Sequence, residues 1–265
     1  MISFFRKIRQ KLLQDLPAGK AGNRITRYLA YALGEIILVV LGILIALQIN
    51  TWNEFRKSKT LENDYYCKLM EDVSLDILQI QNLIEQTQIR LQASNDLLSL
   101  LQKDSLDRPL IMEKNLESIS LITYTYRPSM AAYEDLKSSG NLNILRDNDI
   151  KTMIVDYYSM IDGMLDVINT NADGAVQLFY KKDNYAAIQW QDMDFVKNNL
   201  DTSKVDLKKL ESFHLTNREF VEKLTSDAVY YVGANSRILF LYESILPDII
   251  QAKNELEKKC NSKSP

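Results

Sequence analysis

Few residues in this chain combine a reactive type with a spacing that would let them act together. The sequence contains one histidine, His214, and two cysteines, Cys67 and Cys260. A single histidine excludes His-rich metal centres, and the glycine-rich nucleotide-binding, HExxH and CxxC motifs do not occur. We therefore predict no catalytic residue, no bound metal and no cofactor.

Tyrosines near the middle of the chain could form a site of a different kind. Tyrosine suits half-buried surfaces because its ring is apolar and its hydroxyl is polar. We predict a surface for a partner or a ligand that is lined by Tyr124, Tyr126, Tyr133, Tyr157 and Tyr158. Two alternatives stay open. The same residues could lie at the edge of a hydrophobic core, or they could join inward-pointing carboxylates in an acid-and-tyrosine pocket.

One long apolar segment is long enough to anchor the chain in a membrane. Residues 28–49 read YLAYALGEIILVVLGILIALQI, with Glu35 and Gln48 as the strongly polar members. At about 1.5 Å per residue such a helix reaches roughly 33 Å, enough to cross a bilayer core of about 30 Å. The segment lacks the small-x-small cleavage site that follows a signal peptide. We therefore predict a single transmembrane helix over residues 28–50, with the lipid bilayer as a partner.

Charge on either side of this segment predicts its orientation. Residues 1–27 carry seven basic side chains and one acidic side chain, and their apolar residues recur at helical spacing. By the positive-inside rule these residues stay in the cytoplasm, where a basic amphipathic helix lies among lipid headgroups. We thus predict an inner-membrane protein whose residues 51–265 form a periplasmic domain. This part of the chain is net acidic, so we expect no nucleic-acid binding.

Ala30, Gly34, Leu38, Gly42 and Ala46 follow one another at four-residue steps within the predicted span and place small side chains along one stripe. Such a stripe lets two membrane helices approach closely, which predicts self-association or pairing with another membrane protein through the span. Alternatively, glycine and alanine are simply frequent in membrane helices. Glu35 belongs to the same predicted packing set, because a carboxylate within a span must be protonated, partnered or directed toward the cytoplasmic side.

Apolar residues at three- and four-residue steps predict two long helices in the exported part, over about residues 58–103 and from about Thr216 to near the C-terminus. Thr216 and Glu219 form a capping-box pattern. Shorter helices are predicted to begin near Pro109 and Asp147, and no alternating strand pattern occurs. We predict an all-α fold, an elongated bundle whose two long helices run antiparallel. An intermolecular coiled coil is the alternative explanation of the two patterns.

The antiparallel arrangement has a consequence for the two cysteines. It would bring Cys67 and Cys260 to the same end of the bundle, where an oxidising compartment would permit a disulfide. Alternatively, Cys67 packs as a small apolar residue and Cys260 lies in a frayed tail.

Two segments of the sequence resemble a known family. Residues 4–13 read FFRKIRQKLL and residues 34–54 read GEIILVVLGILIALQINTWNE; a weaker match is KSSGNLNIL at residues 137–145. They resemble an uncharacterised family of single-span membrane proteins from Bacteroidota-type bacteria, a domain of unknown function. The resemblance implies an inner-membrane anchor with a periplasmic helical domain, and it implies no activity.

These features together predict a membrane-anchored helical interaction or scaffold module that is not an enzyme. The alternative is a ligand-binding sensor or an enzyme that uses an acid-and-tyrosine pocket in the exported domain. A closed aromatic pocket with an Asp or Glu side chain pointing inward would favour this alternative, whereas a filled bundle with an exposed apolar groove would favour the module.

Overall fold

A computed structural model describes residues 24–181, 185–186, 190–211 and 218–261. The predicted amphipathic segment, His214 and the Thr216 cap therefore lie mainly or wholly outside the described residues. The chain divides after Ser58 into two compact units, which are treated separately below. The first unit contains the apolar segment, and the second contains the bundle.

Helix α1 extends over Arg24–Leu101. Its apolar part has a mean hydropathy of 2.5 over 18 residues, none of which is buried, so by length and composition it is able to cross a membrane. The prediction that a separate helix begins near residue 58 is wrong, because α1 continues through that position. Neither glycine nor proline occurs between Gly42 and Leu101, so nothing in the local sequence interrupts the backbone hydrogen bonds.

The second unit is built from α-helices and two short 3-10 turns. After α1 these are α2 (Arg108–Glu117), α3 (Ala131–Ser138), a 3-10 turn (Asn141–Ile144), α4 (Asn148–Tyr180), a 3-10 turn (Trp190–Asp192), α5 (Asp194–Lys197), α6 (Leu207–Glu211) and α7 (Arg218–Asn261). Within the described ranges there is no strand, and the predicted all-α fold is confirmed.

Contacts between side chains give the directions of the three long helices. Cys67 lies beside Cys260, and Arg90 contacts Asn235, so α7 runs antiparallel to α1. Glu62 contacts Arg146 just before α4, and Asp76 contacts Tyr157 further along it, so α4 runs in the same direction as α1. Apolar side chains from all three helices form one continuous core.

The chain between α1 and α4 returns along α1 as residues 118–147, which we call the return segment. Four polar side chains of α1 each accept a hydrogen bond from a backbone N–H of this segment, in antiparallel order. The acceptors are Gln79, Asp76, Asp72 and Glu62, and their respective donors are Arg127, Ser129, Ala132 and Arg146. The bonds to Ser129 and Ala132 are partly buried, where an unpaired N–H is costly, so these side chains help to fix the position of a segment that is only partly helical.

Local signals explain where the shorter helices begin and end. Asp107 accepts a hydrogen bond from the backbone N–H of Leu110 at the start of α2, and Pro109 occupies the first turn. Asp147 accepts from Asp149 and Ile150 at the start of α4. These bonds satisfy N–H groups that have no partner within a helix, so each start is encoded locally.

Two glycines in α4 give a matched test of its packing. Gly163 has no atom near the position of an added Cβ, whereas at Gly174 that atom would overlap the hydroxyl of Tyr230 on α7. We expect Gly163→Ala to raise the free energy of unfolding by about 0.5–1 kcal/mol, since alanine favours a helix. Gly174→Ala should give no such gain, because Tyr230 must move. Urea denaturation of both variants tests this, and equal gains would contradict the α4–α7 contact.

Candidate functional site

The strongest candidate site is an acid-and-tyrosine cluster at the centre of the bundle. Asp76 on α1 is 0% exposed. Its two carboxylate oxygens accept hydrogen bonds from the backbone N–H of Ser129 at 2.8 Å and from the Tyr157 hydroxyl at 2.7 Å. The Tyr157 hydroxyl also lies 3.2 Å from the Tyr126 hydroxyl. Tyr242 on α7 completes the cluster by accepting from the backbone N–H of Tyr126 at 3.3 Å.

Burial dominates the electrostatics of this cluster. Loss of hydration raises the pKa of Asp76 above its usual value, although the hydrogen bonds from Ser129 and Tyr157 oppose that change. Burial and the nearby carboxylate also raise the pKa of Tyr157 and of Tyr126. All three groups therefore favour their neutral forms more than in water, which suits hydrogen bonding and leaves no activated nucleophile.

The predicted tyrosine surface needs correction. Tyr126, Tyr157 and Tyr158 are buried in the core, Tyr133 is half-buried and stacks on Tyr158 at 4.3 Å, and Tyr124 is exposed. The hydroxyl of Tyr158 donates to the Ser129 carbonyl, so a protein group occupies the place that a ligand would take. These residues contribute mainly to the interior and to the attachment of the return segment.

A second polar cluster lies further along α1 and was not anticipated. Arg90 is only 3% exposed, and its guanidinium donates to Asn235 Oδ1 at 3.0 Å, Thr87 Oγ1 at 2.7 Å and the Ser120 carbonyl at 3.4 Å. Asn235 in turn donates to the Ser118 carbonyl at 3.0 Å. No acceptor of Arg90 in the described part of the chain is a carboxylate. The cluster holds the start of the return segment against α1 and α7.

Replacement of Arg90 by methionine sets two effects of similar size against each other. Burial lowers the pKa of Arg90 to about 10, which corresponds to about 3 kcal/mol of penalty on the charged form. Its removal leaves acceptors on Asn235 and Ser120 without that donor, at a cost of about 1–3 kcal/mol each. We expect Arg90→Met to change the free energy of unfolding by no more than about 2 kcal/mol, but to speed hydrogen exchange of residues 118–124. Unchanged exchange there would contradict the clamping role.

The two cysteines lie at the opposite end of the unit, where α1 enters it. The structure joins Cys67 and Cys260 in a disulfide with a Cα–Cα distance of 4.9 Å. Nearby, Lys259 pairs with Asp147 at 2.6 Å, and this contact lowers the pKa of the Asp147 carboxyl. The disulfide therefore joins α1 to α7 at this end, and the ion pair joins α7 to the start of α4.

The residues predicted to pack in the membrane all lie on the exposed surface of α1. Gly34, Glu35, Gly42 and Ala46 are all exposed, and in the described part of the chain no atom lies within 4 Å of a Cβ added at either glycine. Their role in helix pairing stays a prediction.

Aromatic residues at the end of α4 and after it form a patch whose mutual contacts the sequence did not predict. Its rings surround Trp190, at centroid distances of 5.4 Å for Phe179, 5.9 Å for Tyr180, 5.6 Å for Tyr185 and 5.7 Å for Phe195. We call these five residues the aromatic patch. Tyr180 and Phe195 are 55% and 59% exposed. Three of the five lie in a stretch with weak periodicity, so spacing alone did not indicate that they meet.

The rest of the described surface was compared with two other kinds of site, a pocket and a metal centre. An open pocket of about 550 Å³ lies along α7 between Pro247 and Asn261, and its lining residues all come from that helix. Among the residues described, no group of three or more His, Cys, Asp or Glu side chains could hold a metal ion. Neither feature assembles a reactive centre.

No curated protein and no solved structure matches this chain. A sequence model of a family of unknown function, DUF6090, matches residues 35–171, which include most of α1, the return segment and most of α4. These elements carry Asp76, Tyr126 and Tyr157 of the acid-and-tyrosine cluster, and the match spans more than half of the chain. The chain therefore belongs to this family of unknown function.

Proposed function

We propose that this protein is a membrane-anchored interaction module without catalytic activity. Its apolar segment anchors it in a bacterial inner membrane, residues 1–27 stay in the cytoplasm, and the bundle lies in the periplasm. The support for this orientation is the excess of basic residues before the span and the net acidic composition after it.

One observation favours a module over an enzyme or a sensor: the acid-and-tyrosine cluster is filled by the protein itself. Both oxygens of Asp76 have donors within the bundle, and the tyrosine hydroxyls bond to one another or to the backbone. A substrate would have to displace these bonds, each with a buried polar group left behind. The cluster therefore acts to hold the return segment on α1.

Partners would then contact the outside of the molecule. Large apolar side chains are exposed on the second unit, among them Leu75 and Leu78 on α1 and Phe240 on α7. In the first unit, the stripe with Gly34 and Gly42 offers a surface for close contact with a second membrane helix.

Crosslinking followed by mass spectrometry in native membranes tests the proposal. We expect crosslinks between copies of the chain or to a reproducible partner, and we expect the variant Gly34→Leu with Gly42→Leu to weaken those that involve the span. Ala32→Leu, a small-to-large change away from the stripe, is the matched control. Recovery of neither self-contacts nor a partner would remove the main support for a module. Full protection of the bundle from protease in spheroplasts would contradict the orientation.

A further inference from the structure

We propose that Cys67 forms a transient mixed disulfide with an exported dithiol oxidase, and that Cys260 resolves it to give the disulfide within the chain. The partner is defined by its chemistry, as a protein whose paired active-site cysteines are themselves joined in a disulfide. This inference goes beyond the interaction module and rests on the periplasmic location in the proposed function. It is carried by the long separation of the two cysteines along the chain and by the local surroundings of Cys67.

The bond between Cys67 and Cys260 requires an electron acceptor. Its formation removes two electrons and two protons from a pair of thiols. The chain contains two cysteines, and both belong to this bond, so no second disulfide within the chain accepts the electrons. The disulfide of another protein is an acceptor that exchanges directly with a thiolate.

The separation of the two cysteines decides which of them meets the oxidase first. They are 193 positions apart. Chain synthesis proceeds from the N-terminus at about 5–20 residues per second, so Cys260 follows Cys67 by about 10–40 s. During this interval Cys67 has no partner thiol in its own chain. In an oxidising compartment it therefore exchanges with an external disulfide without competition from Cys260.

The surroundings of Cys67 on α1 suit this early reaction. Asn63 Nδ2 donates to Cys67 Sγ at 3.8 Å from one turn earlier on the same helix, so the contact needs no other part of the bundle. A hydrogen bond to sulfur favours the thiolate, which is the form that attacks a disulfide. Tyr66 and Leu69 are 5% and 0% exposed in the complete unit. Until the later helices arrive, these side chains are uncovered and give the oxidase an apolar surface beside the thiol.

The exchange takes two steps in which atoms and electrons balance. In the first, the Cys67 thiolate attacks one sulfur of the oxidase disulfide, and the other oxidase sulfur leaves as a thiolate. In the second, the Cys260 thiolate attacks Sγ of Cys67, and the attached oxidase sulfur leaves. The chain has lost two electrons, and the oxidase is reduced to its dithiol, which takes up the two protons.

Trapping of mixed disulfides in cells tests the inference. Full-length wild type and the variant Cys260→Ser are produced in a Gram-negative bacterium, quenched with acid, alkylated, and separated without reductant. We expect Cys260→Ser to accumulate several-fold more of a reductant-sensitive adduct than the wild type, because the resolving thiol is missing. Mass spectrometry should show that the adduct joins the peptide with Cys67 to the active-site peptide of an exported oxidase.

Controls separate the order of reaction from the mere presence of a thiol. The variant with both cysteines replaced by serine should form no adduct. In pulse-labelled wild type, adducts at Cys67 should exceed those at Cys260, because Cys260 has a partner in its own chain when it appears. Equal adducts at the two cysteines would overturn the inference.

Two further outcomes distinguish this inference from the location on which it rests. If the wild type becomes fully oxidised while Cys260→Ser forms no adduct at Cys67, the inference is wrong and the periplasmic location stands. If both thiols of the wild type stay reduced in cells, the inference and the location are wrong together.

Discussion

Replacement of Cys67 and Cys260 by serine is expected to lower the free energy of unfolding of the bundle by about 5 kcal/mol. The two residues are 193 positions apart, so the disulfide closes nearly the whole of the second unit into one loop. In the chain-entropy account, a crosslink restricts the unfolded chain more as the loop grows, and a loop of this length lies near the upper end of measured effects. Urea denaturation of the oxidised protein and of the double variant measures the difference.

Two controls sharpen this test. Reduction of the wild-type protein should reproduce the loss, whereas reduction of the double variant should have no effect. The state of the thiols in cells is a separate readout, because a disulfide between these residues forms only if they reach an oxidising compartment. A maleimide-polyethylene glycol that labels two thiols per chain in freshly lysed cells would contradict the bond and weaken the proposed periplasmic location.

Substitution of Asp76 is the second change with a large expected effect on the free energy of unfolding. The size of this effect depends on the residue introduced. Asp76→Ala leaves the backbone N–H of Ser129 and the hydroxyl of Tyr157 without their acceptor, and we expect it to cost about 3 kcal/mol. Asp76→Asn keeps an oxygen for Ser129, and its amide can donate to Tyr157, so we expect a change within about 1 kcal/mol. Chemical denaturation at neutral pH compares the two, and equal losses would show that the bonds to Asp76 do not hold the return segment.

The difference in stability between the wild type and Asp76→Asn should change with pH in a definite direction. Because the pKa of Asp76 is raised in the folded state, its contribution to stability is fully present below the unfolded pKa of about 3.9 and is lost as the pH rises through the folded pKa. The stability of the wild type relative to Asp76→Asn should therefore fall from pH 4 to neutral pH. The other titrating groups are the same in both proteins and cancel in this difference. A relative stability that rises with pH would contradict the direction.

The long helices were predictable because their apolar spacing is strict. On α7 the residues at three- and four-residue steps from Leu224 to Leu256 are buried. Asp107 and Asp147 cap helices that begin close to the predicted starts. Pattern reasoning assigns charged residues to the outside, and it therefore missed Asp76 and Arg90. Both are buried because they satisfy the backbone of the return segment, and that segment comes together with α1 only in the folded protein.

The tyrosines show a second limit of sequence reasoning. A tyrosine suits an interior that supplies a partner for its hydroxyl as well as a wet surface, and composition does not distinguish the two. Tyr157 became internal because Asp76 lies opposite it, 81 positions away along the chain. The contacts of Trp190 with its neighbours were not predictable for a related reason, since they join the end of α4 to short helices whose spacing carries little periodic signal.

The four acceptors on α1 also fix the register of the return segment along that helix. Each residue removed from α1 between Glu62 and Gln79 would turn the remaining acceptors by about 100° away from their donors. A deletion of seven residues, close to two full turns, would restore the angle but shorten the spacing by about 10 Å. Length changes in this stretch should therefore survive only when the return segment shortens with them.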